Sequence, residues 1–560
     1  MTSGCIVFQP QNVYRSNHGV DKVISITNTP FLPESKSIED HNESHGQDDL
    51  EYKILFDQSI PIELLNRMTI PEKFKVVDQD EEADIILSPM DDTDDYIEWV
   101  YLLVAPFPTL LDDISFVDLQ LAWYGRRSDI DRYLPLAMSE STGALFEYYW
   151  GAPDKNFIEI INADRIQDKM WENGNLAIIP FEQLKPRLKI IRIDGISPLE
   201  KGNSIQEYPL KGKFWFQRKS ECIPMDDQMI FDTLSLPYTN LETEKLTSLI
   251  MTGVTALVRS TALKMEEKGM TYPAEEIHDW LISADLTHIS NEVSFDPNCP
   301  PPNPFQDTLQ FCSRPEYMEL FDFIDVDVIE LTGNHLMDWN RAAFEYSLDL
   351  YKNNGWDYYG GGENLSKAAQ PLLIEHNKNK FAFIGCNPVG PDHVWATDSS
   401  PGNVNCDYEE IAKTIHHYAE KGYLPIFTIQ YFESYTSLPN PAQERVFKQM
   451  SEAGAVIVSG SQAHFPQTMK FIEENFIHYG LGNLFFDQMD LPVVGTRREF
   501  IDRHYFYDGK YINTELLTAM LEDYAQPRPM TDEERSDFLG ELFTLSGWQI
   551  NVEDGYEKDT

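Results

Sequence analysis

The stretch Val326-Asp-Val-Ile-Glu-Leu-Thr-Gly-Asn-His335 decides the fold of the larger part of this chain. Its first half has the apolar, β-branched residues of a buried strand, and it ends abruptly in a glycine, an amide and an imidazole. Five further runs end in the same manner and begin at Leu246, Ala284, Phe381, Leu424 and Ala455. Helical patterns, for example over 341–353 and 408–421, separate most of these runs. The alternation predicts an α/β domain.

The polar ends of these strands form the candidate site. In an α/β sheet the carboxyl ends of the strands line one edge, and ligands bind there. The candidate residues at this edge are Glu292, Asn334, His335, Gln430, Ser461, Gln462 and His464. Carboxylate, amide and imidazole groups serve as metal ligands and as acid–base groups. Any one of them alone is more often a loop cap or a satisfied polar residue, whereas the set predicts a polar site.

The length of 560 residues exceeds what one hydrophobic core usually organises, so we expect more than one domain. Residues 1–50 are predicted to be a disordered lead-in, because 34–50 are almost free of apolar side chains. From Tyr52 onward a strand–helix–strand pattern predicts an α/β domain over 51–235. Residues 241–560 are predicted to form the second domain, with a C-terminal extension made of a hairpin from Arg497 and a helix capped by Thr531.

The charge balance restricts the partners of the chain. It contains 44 Lys and Arg against 92 Asp and Glu, a formal net charge of −48. Nucleic acid is therefore not an expected partner, since binding to a phosphate backbone needs basic residues. An anionic ligand would need a local basic pocket or a bridging cation. No apolar run reaches the roughly 20 residues of a transmembrane helix, and no signal peptide is visible.

The cysteines and the N-terminal residues indicate in which cellular compartment the protein is expected. Cys299 and Cys312 bracket one loop, and Cys386 and Cys406 bracket another. Two local disulfides and free thiols in a reducing compartment both stay open, although the loop placement and the acidic composition favour an oxidising exterior. The start Thr2-Ser-Gly-Cys5 resembles the end of a lipoprotein signal, so a lipid anchor at Cys5 is an alternative to an ordinary cysteine.

The N-terminal α/β region has an order of elements similar to that of bacterial periplasmic solute-binding domains. The turn Ser139-Glu-Ser-Thr-Gly143 lies at a predicted helix start. Hydroxyl and backbone N–H groups at such a start can bind a small anionic ligand, which makes Ser141 and Thr142 candidates. The alternative is an ordinary helix N-cap without a ligand.

Five segments, in this order, carry a second resemblance: Thr252-Gly-Val-Thr-Ala-Leu-Val-Arg259, Ser290-Asn-Glu292, Thr332-Gly-Asn-His-Leu-Met-Asp338, Gly460-Ser-Gln-Ala-His464 and Tyr479-Gly-Leu-Gly-Asn-Leu-Phe-Phe-Asp487. Together they resemble the capsule-synthesis protein CapA family, poly-gamma-glutamate biosynthesis proteins with a calcineurin-like metallophosphoesterase fold. The resemblance implies a mixed-sheet α/β sandwich. It also implies an extracellular or cell-envelope protein for the synthesis, export or processing of a capsule-type anionic polymer.

Departures from the family pattern define the expected chemistry. Val254, Gln430 and Ser461 stand where the family has metal ligands, so the resemblance does not support a two-metal site. We expect at most one divalent metal (Mn, Zn or Fe), held by Glu292, Asn334 and His464, with His335 as the general acid. The residues expected to bind the envelope polymer are Gln430, Ser461, Gln462, Tyr431 and Arg259, and Asp487 is expected to orient His464. A metal-dependent hydrolase and a catalytically silent binding or assembly protein without a metal both stay open.

Overall fold

The strands of the chain fall into three main sheets. The structure is a computed structural model that describes residues 51–90, 96–201, 205–219 and 225–549. The predictions for the lead-in 1–50 and for a lipid anchor at Cys5 lie outside these residues. The described residues from Glu51 onward form one compact unit, and the division into domains at 235–241 stays a prediction. No helix within the described ranges is long and apolar enough to cross a membrane.

The N-terminal part, up to residue 245, contains eleven strands and five helices among its described residues. They are β1 Tyr52–Phe56, α1 Ile62–Leu65, β2 Phe74–Val76, β3 Ile85–Pro89, β4 Ile97–Pro106, β5 Asp113–Ile114, α2 Phe116–Trp123, β6 Leu136–Met138, α3 Glu140–Trp150, β7 Ile158–Ile160, α4 Ile166–Asn173, β8 Ala177–Pro180, β9 Leu188–Ile190, β10 Arg192–Ile193, β11 Lys211–Arg218 and α5 Asp227–Leu234. Nine of the strands form one mixed sheet in the order β2-β1-β3-β11-β4-β8-β6-β7, with β9 on β4. The predicted strand–helix–strand start at Tyr52 is confirmed.

The C-terminal part contains the remaining elements. They are β12 Leu246–Thr255, α6 Arg259–Lys268, α7 His278–Ile282, β13 Leu286–Asn291, α8 Glu319–Phe323, β14 Val328–Glu330, α9 Arg341–Asn354, β15 Asp357–Tyr359, β16 Gly361–Gly362, α10 Leu365–Ala368, β17 Leu372–His376, β18 Asn379–Cys386, β19 Gly402–Asn403, α11 Tyr408–Glu420, β20 Leu424–Gln430, α12 Pro441–Glu452, β21 Ile457–Ser461, β22 Met469–Ile472, β23 Asn475–His478, β24 Arg498–Tyr507, β25 Lys510–Glu522, β26 Gln526–Pro529 and α13 Asp532–Leu545. All six runs that the sequence analysis singled out contain strands.

Those six strands lie in two sheets rather than along the edge of one. β12, β13 and β14 belong to a seven-stranded sheet of order β15-β14-β13-β12-β24-β25-β26, and β18, β20 and β21 belong to a six-stranded sheet of order β17-β18-β20-β21-β23-β22. Both sheets are mixed, because parallel strands are flanked by antiparallel ones. The predicted hairpin after Arg497 is β24 and β25, and β24 pairs with β12, so this tail completes the first of these sheets.

The two sheets pack face to face, with helices on their outer faces. Met251, Phe383, Ile426 and Phe500, one residue each from β12, β18, β20 and β24, share the core between the sheets. A second core joins the seven-stranded sheet to α6, α8 and α9, and a third joins the six-stranded sheet to α11 and α12. Apolar residues on both faces of these strands explain their nearly continuous hydrophobic runs. The predicted mixed-sheet α/β sandwich is confirmed.

Ion pairs and apolar contacts connect the N-terminal sheet region to the sandwich. Tyr505 of β24 and Ile512 of β25 belong to the N-terminal hydrophobic core. Arg535 of α13 binds both carboxylate oxygens of Asp112, at 2.7 and 3.0 Å, and Lys189 reaches the same carboxylate at 2.6 Å. Burial opposes ionisation of Asp112, but these two cations outweigh it and hold its pKa well below its ordinary value.

Two disulfides close the loops that the sequence analysis marked. Cys299 is bonded to Cys312, and Cys386 is bonded to Cys406. The pairing agrees with the first of the two alternatives left open above. Both closed loops lie beside the strand ends that carry the candidate residues, as the next section describes.

Candidate functional site

Four polar side chains from the two sheets meet at one point. Gln430 ends β20, and its Nε2 donates to Oε1 of Glu292 at 2.7 Å and to Oδ1 of Asn334 at 3.0 Å. The same nitrogen donates to Oε1 of Gln462, two residues after Gly460 in β21. Glu292, Gln430 and Gln462 are all buried. The structure therefore brings together ends of β13, β14, β20 and β21, which span both sheets.

The cluster places more hydrogen-bond acceptors around Nε2 of Gln430 than this nitrogen has hydrogens to donate. An amide NH2 has two hydrogens, but three oxygens surround Nε2 of Gln430. Meanwhile Oε1 of Gln430 is buried and accepts no hydrogen bond among the described residues. Rotating the Gln430 amide by 180° would exchange its oxygen and nitrogen, which are nearly equal in size. Oxygens of Glu292, Asn334, Gln430 and Gln462 would then all face one point.

An all-oxygen set of this kind fits one hard divalent cation such as Mg²⁺, Ca²⁺ or Mn²⁺ better than a paired-metal centre. Glu292 supplies the negative charge, and the three amide oxygens are neutral ligands. No group of three or more His, Cys, Asp or Glu side chains suited to a metal occurs in the described part of the chain. With one carboxylate in the cluster, the residues do not fit a two-metal centre, and a site for one cation stays a prediction.

Loop contacts set the position of Asn334. The main chain approaches closely here, because a Cβ on Gly333 would lie 2.7 Å from Cα of Glu292. Asn403 donates to the carbonyl of Gly333 at 2.8 Å, and Asn387 donates to the carbonyl of Thr332 at 2.8 Å. Both asparagines are fully buried and lie between Cys386 and Cys406. The second disulfide loop thus holds the segment that carries Asn334 and His335.

His335 is held by Asp338 and by the first disulfide loop. Its Nδ1 lies 2.6 Å from Oδ2 of Asp338, and the backbone N–H of Phe311 donates to the same oxygen at 3.1 Å. The Phe311 ring contacts the imidazole edge to face, with 5.0 Å between centroids. Burial lowers the pKa of His335, but the Asp338 hydrogen bond and the charges of Glu292 and Asp338 outweigh it and raise the pKa above its ordinary value of 6.5. These interactions therefore favour the imidazolium form, a proton donor, more than water does for a free imidazole.

The raised pKa of His335 gives a pH-dependent prediction. A group whose pKa is higher in the folded state contributes stability that is fully present below its unfolded pKa and is lost as the pH rises through the folded pKa. Asp338→Asn should lower the pKa of His335 and reduce this contribution. Histidine NMR titrations of both proteins check the shift. An unchanged His335 pKa in Asp338→Asn would contradict the assignment of Asp338 as its partner.

His464 has a different partner from the predicted one. Its Nδ1 lies 2.8 Å from Oδ1 of Asn483, whose Nδ2 faces the carbonyl of Thr496 at 3.5 Å. Because a carbonyl only accepts, the Asn483 oxygen must face His464, and Nδ1 of His464 carries the proton. Its Nε2 then has a free lone pair for a cation or a water. Asp487, expected to orient His464, instead accepts from Arg259 and from the backbone N–H of Ser260.

The turn that carries Gln462 and His464 has an unusual backbone. Gln462 has φ of 76° and His464 has φ of 50°, in the left-handed region that side chains other than glycine seldom adopt. Such conformations cost free energy and persist where the surrounding structure enforces them, often at functional sites. Ser461 pairs in register with Gln430, so both side chains lie on the same face of the sheet. The buried Oγ of Ser461 has no partner among the described residues.

Tyr431 lies away from the cluster, contrary to the expectation that it binds ligand. It is buried in the core between the six-stranded sheet and the helices α11 and α12, and its ring packs against Phe447, with 6.2 Å between centroids. Successive residues of an extended chain point to opposite faces. Because Gln430 points into the cluster, Tyr431 points into the helical layer.

The N-terminal anion site is not supported by its surroundings. Ser139, rather than Ser141 or Thr142, caps α3, and its Oγ accepts from the Thr142 N–H at 3.2 Å. The hydroxyls of Ser141 and Thr142 both lie within hydrogen-bond distance of Ser139. A cleft of about 620 Å³ follows the side of α3, and its described lining includes Asp57 and Glu147 but no Lys or Arg. This cleft disfavours an anion, and the likeness to solute-binding domains stays a prediction.

Sequence reasoning missed the residues that hold the site in place. Asp338 follows His335 by three residues, a spacing that could have indicated a carboxylate–imidazole pair. Asn483 lies inside the quoted closing segment, where its role was not recognised. Asn387 and Asn403 gave no local signal, because their importance depends on the fold bringing a distant loop against Gly333.

The fold and the site together define an α/β sandwich protein with a polar cluster where the strand ends of two sheets meet. Residues 248–488 match the family model described as bacterial capsule synthesis protein PGA_cap. This match covers less than half of the chain, and over these residues it confirms the resemblance inferred from the five segments.

Two curated relatives are similar to part of this chain. The capsule biosynthesis protein CapA of Bacillus anthracis is 25% identical over 208 residues, which are 36% of this chain and 50% of the relative. The PGA biosynthesis protein CapA of Bacillus subtilis (strain 168) is 25% identical over 243 residues, 43% of this chain and 63% of the relative. A solved structure, a novel phosphatase from Mycoplasma pneumoniae, is similar at 12% identity with a TM-score of 0.31, over 52% of this chain and 99% of its own. The matched region thus spans about half to two thirds of the curated relatives.

Proposed function

We propose that the chain is a cell-envelope protein for the synthesis, export or processing of a capsule-type anionic polymer such as poly-gamma-glutamate. We further propose that its pocket hydrolyses a bond of that polymer or of a precursor with the help of one divalent cation. The family match and the capsule-related names of the relatives support the first part. The observation that carries the second part is the convergence of Glu292, Asn334, Gln430 and Gln462 on one point.

The proposed mechanism assigns a task to each side chain. Oxygens of Glu292, Asn334 and Gln462, and of Gln430 after rotation of its amide, would hold the cation, and Nε2 of His464 would bind the same ion or a water. When bound, the cation supplies positive charge that polarises the bond to be cleaved. A water molecule attacks the bond and loses its proton to solvent, while His335 as imidazolium donates a proton from Nε2 to the leaving oxygen or nitrogen. Asp338 stabilises the charged form and fixes the ring through Nδ1.

A second candidate function is a catalytically silent binding or assembly protein. The observation that favours it is that the NH2 group of Gln430 already occupies the centre of the cluster. In this case the pocket would hold a polymer end by hydrogen bonds alone. Val254 and Ser461, in place of the family's ligands, are consistent with this function.

Hydrolysis assays on the full chain separate the two candidates. With Mn²⁺ or Mg²⁺ present, we expect cleavage of oligo-γ-glutamate or of a phosphodiester model compound. His335→Asn should lower the rate by roughly 10²- to 10⁴-fold, the range typical for loss of a general acid. His416→Asn is the matched control, because His416 is exposed on α11, where it pairs with Glu420. Absence of cleavage by the unmodified protein, or equal rates for both variants, would contradict the hydrolase and leave the binding protein.

A further inference from the structure

Arg259 occupies an unusual position beside the pocket. It is the first residue of α6, and its φ of 46° lies in the left-handed region. The guanidinium carbon lies over the rings of both Phe311 and Phe486, at 5.3 and 5.0 Å from their centroids. Stacking between two aromatic rings immobilises the planar guanidinium, so little rotamer entropy is left to lose on binding. A strained main chain and a clamped side chain both indicate a functional requirement.

The hydrogen-bond donors of Arg259 are only partly used. One Nη2–H donates to Oδ1 of Asp487, whose other oxygen accepts from the N–H of Ser260. The Nε–H is buried and has no partner among the described residues. A buried donor without an acceptor costs free energy. The guanidinium therefore keeps unused donors next to a fixed counter-ion.

A cleft opens at this guanidinium. Its volume is about 380 Å³, and its walls include Arg259, Phe311, Trp339 and the prolines 300–302 of the Cys299–Cys312 loop. Among the described lining residues, Arg259 is the one Lys or Arg, and Asp307 is the one acidic residue. Proline and aromatic walls restrict water, which strengthens the attraction of Arg259 for an anion.

Phe311 links the wall of the cleft to His335. The Phe311 ring contacts both Arg259 and His335, and the backbone N–H of Phe311 donates to Oδ2 of Asp338. The charge of Arg259 also acts on His335, where it opposes the effect of Glu292. A ligand that reaches the Glu292 cluster and His335 can therefore place its neighbouring group against Arg259.

We propose that Arg259 is a recognition residue for an oxyanion of the ligand, a carboxylate or a phosphate, in a subsite beside His335. The inference rests on the proposed function, since it assigns the subsite to the same ligand. A chain of net charge −48 repels polyanions, so a fixed cation inside the pocket is what an acidic ligand requires. The carboxylate of an acidic oligomer is the expected group. Arginine suits it because the planar fork binds both oxygens at once.

Calorimetric titration of the full chain tests this subsite. The probes are tetra-γ-glutamate, the same oligomer with all carboxylates amidated, and inorganic phosphate. Arg259→Gln should weaken binding of tetra-γ-glutamate by about 10- to 100-fold, the range for one charged hydrogen-bonding group. Arg259→Lys should lose less, because it keeps the charge but not the fork. The amidated oligomer should bind weakly and equally to all variants. Arg445→Gln, on the exposed face of α12, is the matched control and should bind like the unmodified protein.

The outcomes separate this inference from the proposed function. Arg259-dependent binding without hydrolysis would support the subsite and favour the silent binding protein. Arg259-dependent binding of phosphate but not of the oligomer would support an oxyanion subsite of phosphate type. Equal affinity of the unmodified protein and Arg259→Gln, or no binding of either anion at millimolar concentration, would overturn the inference even if hydrolysis occurs. Should Arg259→Gln not fold, Arg259→Lys gives the same comparison.

Discussion

Replacing Gln430 with glutamate is expected to make the folded state depend on a divalent cation. The change puts a second carboxylate beside Oε1 of Glu292, 2.7 Å from the present amide nitrogen, in a site that is 2% exposed at both residues. Two adjacent buried carboxylates cannot both ionise without a cation, so the pair retains a proton and its pKa rises. Without divalent ions we expect a loss of about 3 kcal/mol or more of unfolding free energy near neutral pH.

The sign of the pH dependence distinguishes this effect from simple misfolding. A carboxyl whose pKa is raised in the folded state destabilises the protein as the pH rises above its unfolded pKa of about 4.3, up to the folded pKa. Gln430→Glu should therefore lose stability between these limits, and Mn²⁺ or Ca²⁺ should restore it by binding the native state. Thermal unfolding over a pH series, with and without cation, measures both.

Gln443→Glu is the matched control for this experiment. Gln443 is also a buried glutamine, but its Nε2 donates to Oε1 of Gln467 at 2.9 Å and to the carbonyl of Tyr479 at 3.0 Å, outside the cluster. It should be destabilised without rescue by cations. Equal responses of the two variants to Mn²⁺ and Ca²⁺ would contradict a cation site at Gln430.

The second large effect is expected from Gly460→Ala. A Cβ at Gly460 would lie 2.1 Å from the carbonyl oxygen of Tyr479, an impossible contact with main chain rather than with a flexible side chain. Relief requires β21 to move away from the Tyr479 segment, which displaces Ser461 and Gln462. Overpacking of this kind costs about 3 kcal/mol. Ligand or cation binding at the cluster should weaken in parallel, because Gln462 moves.

Chemical denaturation of Gly460→Ala and Gly143→Ala tests this prediction. At Gly143 the added Cβ would meet the terminal methyl of Ile160 at 2.9 Å, a contact that a rotamer change relieves. Gly143→Ala should therefore lose much less stability than Gly460→Ala. Similar losses in both variants would show that the close approach at Gly460 is not a constraint on the sheet.

Much of the secondary structure was predictable because its signals are local. The apolar run before Gly333 predicts β14, and the strand–helix–strand pattern from Tyr52 predicts β1 to β3. Thr531 and Glu534 form a reciprocal capping box at α13, where the sequence indicated a helix start. Residue types at the strand ends also placed Glu292, Asn334 and Gln430 in one predicted polar site, although the single sheet edge expected there is formed by two sheets.

Other features were not predictable because they depend on contacts between distant segments. Strand ends alone did not reveal that β14 and β20 belong to two facing sheets, so the pairing of Asn334 with Gln430 across them could not be derived. The sequence analysis predicts Asp487 as a partner of His464, whereas in the structure Asp487 accepts hydrogen bonds from Arg259 and Ser260. The rings that position Arg259 meet only in the folded chain, so this contact could not be derived from the sequence. The alternation of side chains along an extended strand could have predicted that Tyr431 points into the core. It was not recognised, because Tyr431 directly follows the polar Gln430 at the end of β20.

Calorimetric measurement of divalent-cation binding to the unmodified chain tests the central claim most directly. The oxygen cluster predicts one Mn²⁺, Mg²⁺ or Ca²⁺ per chain, with binding weakened about 100-fold or more in Glu292→Gln, which removes the single charge from the ligand set. The exposed variant His416→Asn should bind like the unmodified protein. Two cations per chain, no cation at millimolar concentration, or one cation whose affinity is unchanged in Glu292→Gln would contradict the account.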